Sequence, residues 1–292
     1  VSFLEPSAHR RRRAFKDNVF KYLCYASASV GVILLLVFLV KMYLDGRERL
    51  SLHFIKDSLS ARPARTGIWE AVVGSFYVML LTGLIAVPVG IAAAIYLEEF
   101  NRRKTRFVAF IQLNIANLSG VPSIVYGLLG LAVFVRWMNL QQSILAGALT
   151  MSLLILPMVI IVTQEALKAV PSTYREGSLA LGSTQWQAIR HQVLPSASPG
   201  ILTGIILAIS RAVGETAPLI VVGAASYVTT LPKGLGDKYT VLPIQIFDWA
   251  GEARKGFNDA AASAIVVLIV ALLALNSVAI VLRARARKKL SM

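Results

Sequence analysis

The chain predicts an all-α membrane protein with six transmembrane helices, and three observations lead there. Of its 292 residues 56% are hydrophobic and only 15% charged, where a soluble domain carries roughly 25% charge. The apolar residues fall in long blocks, several of which reach the ~20 residues that cross a ~30 Å hydrocarbon core. The basic clusters flank those blocks instead of interrupting them. Helices are the default for such segments because each satisfies its own backbone polar groups.

The spans read, in order, as Val19–Leu44, Ile68–Leu97, Phe107–Val135, Ser143–Thr163, Ser196–Gly223 and Ala260–Leu282. The first follows Arg10 to Arg13 like a signal sequence, but it is too long and no small-residue cleavage site follows it, so it is expected to stay as an anchor. Residues 45–67 form a polar outer loop with no strong apolar pattern, which sets the first helix apart from the other five. Gly83, Pro88 and Gly90 in span two, Asn114, Asn117, Ser119, Gly120, Pro122 and Gly127 in span three, and Pro157 in span four read as three interrupted spans lining a path. The long loop 225–259 contains an amphipathic, aromatic stretch, 241–249, suited either to the outer interface or to a partner.

The net charge of +15 does not point to nucleic acid. With both termini inside, eighteen Lys/Arg lie on inner segments (10–21, 102–106, 168–190 and 283–289) and ten on longer outer ones. This bias predicts cytoplasmic termini, with lipid headgroups as the anionic partner. The single cysteine, Cys24, excludes an internal disulfide, and His9, His53 and His191 show no metal-ligand spacing. There is no phosphate-binding Gly-x4-Gly-Lys-Ser/Thr pattern and no nucleophile–base constellation. The chain is therefore not expected to be an enzyme, to hydrolyse ATP or to hold a metal or cofactor.

Between spans four and five lies a polar insert. Pro171 stops one helix, Ser172 and Thr173 offer N-caps for the next, and Leu179, Trp186, Ile189 and Val193 recur at near-helical spacing. Gly182 permits a turn between two short helices, and Pro195 is expected to end the segment before span five. Such an amphipathic element can lie flat in the headgroups or dock in a groove of another protein.

The run Glu176-Gly177-Ser178, three residues, Gly182, nine residues, Gln192, Val193, Leu194-Pro195 resembles the EAA loop (165–195) of ABC-importer permeases with its spacing intact. It departs in three positions: Gly and Ser replace two alanines, and Gln192 replaces an isoleucine. The resemblance implies that Glu176, Gly177, Ser178, Gly182, Trp186, Leu194 and Pro195 couple to an ATPase. Residues 90–99, 120–127, 165–171 and above all 211–218 (Arg-Ala-Val-Gly-Glu-Thr-Ala-Pro) are similar to the A-type permeases of phosphate-specific (Pst) ABC importers. That family implies a MetI-like fold over residues 66–283, preceded by an N-terminal part, 1–65, and followed by a basic cytoplasmic tail, 284–292. It also implies a bacterial inner-membrane location and a homologous PstC-type permease. Two PstB-type subunits would bind ATP and Mg, and an external PstS-type protein would deliver phosphate.

The residue chemistry offers a path independently. Arg211 lies ~20 Å into span five at ~1.5 Å per residue. A charge that deep costs ~2.5–3.5 kcal/mol on insertion scales and faces a bundle interior or water. Glu215 follows one turn later on the same face, the spacing of a mutual pair; Thr216 is next to it. A planar guanidinium can donate two hydrogen bonds to an oxyanion, so Arg211, Glu215 and Thr216 are candidate path residues. Arg211 and Glu215 can also simply neutralise each other and lock helices together. Arg136, Ser123 and Asn117 are further candidates, although Arg136 can snorkel and the polar side chains can serve packing. Two other classes remain open: a permease for sulfate or molybdate, and a secondary transporter, which would need no insert and often shows internal repeats.

Overall fold

The computed structural model describes residues 8–101, 105–224 and 228–290; the side chains of 8–12, 14, 282 and 285–290 are outside the description. The basic residues 102–104 and all of the basic side chains beyond 284 therefore lie outside the described residues, as do those of Arg10 to Arg12.

Every regular element among the described residues is helical. Helix α1 spans Ala8–Gly46 and α2 Leu52–Lys56; α3, Trp69–Ile95, continues through a π turn, Tyr96–Phe100. Helices α4 (Arg106–Ser119) and α5 (Ser123–Gly130) follow, the latter running into a π turn over Leu131–Trp137. Next are α6 (Ile144–Lys168), α7 (Ser172–Ala180) and α8 (Gln185–Ala188), which passes through a π turn, Ile189–Val193, into α9 (Leu194–Gly214). Helices α10 (Ala217–Val222), α11 (Leu242–Ala250) and α12 (Lys255–Leu290) complete the chain. Five helices are long and apolar enough to cross a membrane, or six if α4 and α5, bent by 104° at their junction, form one span.

Helix α6 is the axis of the fold. Ser143 caps it, its hydroxyl accepting from the Ala146 N–H at 3.2 Å, and more than half of its apolar stretch is buried within the chain. It packs along α3 and α9 by close backbone approach: a Cβ on Gly90 would stand 2.6 Å from Val159 Cγ1, and one on Gly204 2.4 Å from Val162 Cγ2. Small residues at such contacts let helices associate where lipid supplies no hydrophobic driving force. The Ser152 hydroxyl donates to Ala148 O at 2.7 Å and lies 3.4 Å from Thr82 O, so this buried hydroxyl is paired as apolar surroundings require. Helix α1 stands outside this core. Its apolar residues are exposed, and its last residue, Gly46, accepts from the Ser263 hydroxyl of α12 at 2.8 Å.

Three expectations need correction. Spans two and four are not interrupted: α3 runs through Pro88 and α6 through Pro157. One lost intrahelical bond is tolerated there because packed neighbours support the helix on either side. Of these three spans only span three breaks, because Gly120 and Pro122 fall in one three-residue stretch and proline disfavours helical geometry in the residue before it. The outer loop is not featureless either. Phe54 of α2, Leu59 and Ile68 are buried with Trp249, Phe257 and Ala260, and the Trp249 ring lies 6.4 Å from Phe54 and 6.2 Å from Phe257. The amphipathic stretch 241–249 thus turns Leu242, Ile244 and Trp249 inward and leaves Phe247 exposed.

Candidate functional site

Two constellations stand out, a projecting elbow at one end of the bundle and a polar break within it. The elbow is α7, a turn and α8. Gly182 has φ +84°, a conformation open to glycine because it lacks a Cβ. The Ser183 N–H donates to Ser178 O at 3.1 Å and the Gly182 N–H to Leu179 O at 3.0 Å. This paired closure satisfies the last carbonyls of α7. Helix α8 then starts on a capping box: the Thr184 hydroxyl accepts from the Gln187 N–H, and the Gln187 side chain accepts from the Thr184 N–H.

The turn at Gly182 is as the spacing suggested, but the helix boundaries are not. Neither Ser172 nor Thr173 caps α7; Pro171 holds the N-cap position without a side-chain hydrogen bond. Nor does Pro195 end the segment. Residues 185–214 form one continuous helix, with Pro195 at the start of α9 just after the π turn. At a first helical position proline loses little, since the donor it lacks is often unpaired there.

One side of the elbow is buried and the other bare. Ile189 and Val193 pack with Leu167, Val170 and Ile201. Tyr174, Leu179 and Trp186 are exposed, and Leu181 at the tip is 89% exposed. Glu176 and Gly177 are also exposed and Ser178 is half-buried. Gln192 is exposed, so its replacement of isoleucine costs no burial here. Leu194 and Pro195 are half-buried at the base. A bare apolar patch of this kind marks an interaction surface.

The polar break is formed by the α4–α5 junction facing α9. Helix α9 stops at Gly214, and Glu215 takes an extended conformation (φ −78°, ψ 118°) before α10 begins after Thr216. Span five is thus two helices, not one continuous helix to Gly223. The expected pair survives this change: Arg211 Nε lies 3.4 Å from Glu215 Oε1. The contact is single and long, and the Arg211 side chain is 57% exposed. It lines a cavity of about 230 Å³ with Leu118, Ser119, Val121, Tyr126 and Met158. The Tyr126 hydroxyl donates to Leu118 O at 2.7 Å, across the break, and the Ser119 hydroxyl donates to Ala116 O at 2.7 Å.

The other candidates are not gathered with Arg211. Asn117 is exposed and Ser123 half-buried; they flank the break in sequence without lining the cavity. Thr216 is half-buried at the start of α10, and Arg136 is exposed on the π turn after α5. Sequence reasoning named Ser119 only among the breaks of span three and passed over Tyr126 as a path residue. Tyr126 lies within the 120–127 motif, but a tyrosine in an apolar span carries no charge to single it out. His, Cys, Asp and Glu form no cluster able to hold a metal among the described residues.

Five or six helices of membrane-crossing length with a projecting elbow between two of them fit the architecture of a transport permease. Residues 86–291 match the family of binding-protein-dependent transport system inner membrane components. The chain belongs to this family, so it is a multi-pass membrane permease subunit. Among its relatives, the phosphate transport system permease protein PstA of Haemophilus influenzae is 32% identical over 87% of this chain and 89% of that protein. PstA 1 of Mycobacterium tuberculosis H37Rv is 32% identical over 89% and 85%. The probable ABC transporter permease YqgI of Bacillus subtilis is 35% identical over 68% and 66%. Among solved structures, the inward-facing MetNI methionine ABC transporter shares the fold with TM-score 0.59 at 19% identity, covering 75% of this chain and 94% of that one. A bacterial alginate ABC importer shares it with TM-score 0.57 at 18% identity, covering 91% and 98%.

Proposed function

We propose that this chain is the A-type permease subunit of an ATP-driven phosphate importer. The observation that carries the reading is the likeness to PstA proteins along almost the whole chain, joined to an intramembrane arginine that lines a cavity. The chain itself does no covalent chemistry. ATP and Mg belong to two PstB-type subunits that dock on the exposed face of the elbow. A PstC-type permease completes the path, and an external PstS-type protein supplies phosphate. The termini and the elbow are cytoplasmic, and the membrane is the bacterial inner membrane. Residues 66–283 form the permease core, with 1–65 an added N-terminal part and 284–292 a tail.

In this reading ATP binding closes the motor dimer and moves the elbow, which tilts the core helices from inward-open to outward-open. Arg211 offers a guanidinium to the passing oxyanion, and Glu215 keeps its hold weak. Weak binding is what a permeation route needs, because the cargo must leave as readily as it enters.

Proteoliposomes holding this chain with its PstC-, PstB- and PstS-type partners should take up phosphate on adding ATP, and not sulfate. Equal uptake of sulfate or molybdate would assign another oxyanion, and uptake by this chain alone would assign a secondary transporter. Arg211→Gln should abolish uptake while the complex still assembles; near-normal uptake would leave Arg211 a structural role only.

A further inference from the structure

Both arms of the elbow hold one residue at the end of α3. Arg175, on α7, lies against Glu99, on the π turn Tyr96–Phe100: Nε is 3.0 and 3.1 Å from the two carboxylate oxygens, and Nη2 is 2.6 Å from Oε1. The same guanidinium donates to Val170 O and Leu167 O, at the end of α6, both at 2.8 Å. From the other arm, on α8, the Gln185 amide donates to Glu99 O at 2.6 Å. The side chains of Arg175 and Glu99 are only 12% and 2% exposed.

We propose that Arg175 and Glu99 are positioning residues that bind the elbow to α3 as one moving piece, so that displacement of the elbow becomes tilt of α3. The inference rests on the coupling role given to the elbow above. Two arguments carry it. First, stability does not require ions here. A buried ion pair can commonly be replaced by packed apolar residues at no loss, whereas removing one partner leaves an uncompensated charge. What the pair adds is direction, since the planar arginine fork fixes angle as well as distance.

Second, the covalent routes out of the elbow lead to α6 and α9 and not to α3. One arm joins α6 through the short linker 169–171, and the other enters α9 through the π turn Ile189–Val193. The Arg175–Glu99 clasp bypasses both junctions. It delivers the load to α3, which is seated against α6 at Gly90 and Thr82, so the core follows.

The test compares the reconstituted complex with Arg175→Met and with Glu99→Met/Arg175→Met. The double variant leaves no unpaired buried charge, so it should assemble with the ATP-binding subunits at wild-type yield. Phosphate imported per ATP hydrolysed should nevertheless fall by roughly tenfold in both, the scale of coupling energies carried by such networks. Wild-type stoichiometry in the double variant would overturn the proposal, because the pair would then only fill space. Failure of the double variant to assemble would overturn it too, because the pair would be a folding determinant. A wild-type complex without ATP-driven phosphate uptake would instead remove the coupling role itself, and the proposal with it.

Discussion

Two glycines of the elbow, five residues apart, are under opposite constraints. Gly177 lies within α7, and a Cβ there would meet nothing within 4 Å; Gly182 is equally uncrowded but has φ +84°. Alanine at 177 should therefore strengthen α7 by up to ~1 kcal/mol, the helix-propensity gap between glycine and alanine. Alanine at 182 should strain the turn by ~1–2 kcal/mol. Gly182→Ala is expected to lower phosphate uptake per ATP while the protein still inserts, whereas Gly177→Ala should lose uptake only if a partner surface presses on that position. Uptake assays on both variants, with membrane content measured in parallel, check this. Equal effects would show that backbone conformation is not what matters at 182. The turn at Gly182 was legible in the sequence because a glycine falls inside a near-helical apolar run, between Leu179 and Trp186. The Arg175–Glu99 contact was not, because a pair 76 residues apart leaves no local pattern.

Among the helices, the length of the apolar blocks found the membrane-length helices, but the reading ran span five past its end at Gly214 and overvalued proline. Pro88 and Pro157 sit in unbroken helices, while Gly120 with Pro122 produces a 104° bend. The difference lies in the neighbours. A lone proline costs one hydrogen bond, and packing holds the helix on both sides; glycine two residues earlier frees the backbone to turn. The close seams were likewise only half legible, since a glycine in a span does not reveal what it touches. Gly204→Val should clash with Val162 and cost ~1–3 kcal/mol by overpacking, and Val162→Ala should recover much of it. Thermal aggregation of the detergent-solubilised protein is the measurement. A loss that Val162→Ala does not reduce would mean that Gly204 matters for some reason other than this contact.

Across the whole molecule, the distribution of charge predicts the orientation, and exposed apolar surface predicts the contacts. The bare length of α1 and the bare tip of the elbow are both surfaces that the chain does not cover for itself. The basic bias predicts that reporters fused at residues 55 and 240 read external and one at 185 cytoplasmic; the reverse would overturn the orientation. The central claim is that force produced on a partner ATPase enters through the elbow, and its tip offers the most direct measurement. With the native Cys24 replaced by serine and Leu181, 89% exposed, replaced by cysteine, a short crosslinker should join the tip to an ATP-binding subunit, with a yield that changes as nucleotide binds and is hydrolysed. Full phosphate uptake with no crosslink at any nucleotide stage, the tip reacting only with water-soluble quencher or lipid, would contradict the account.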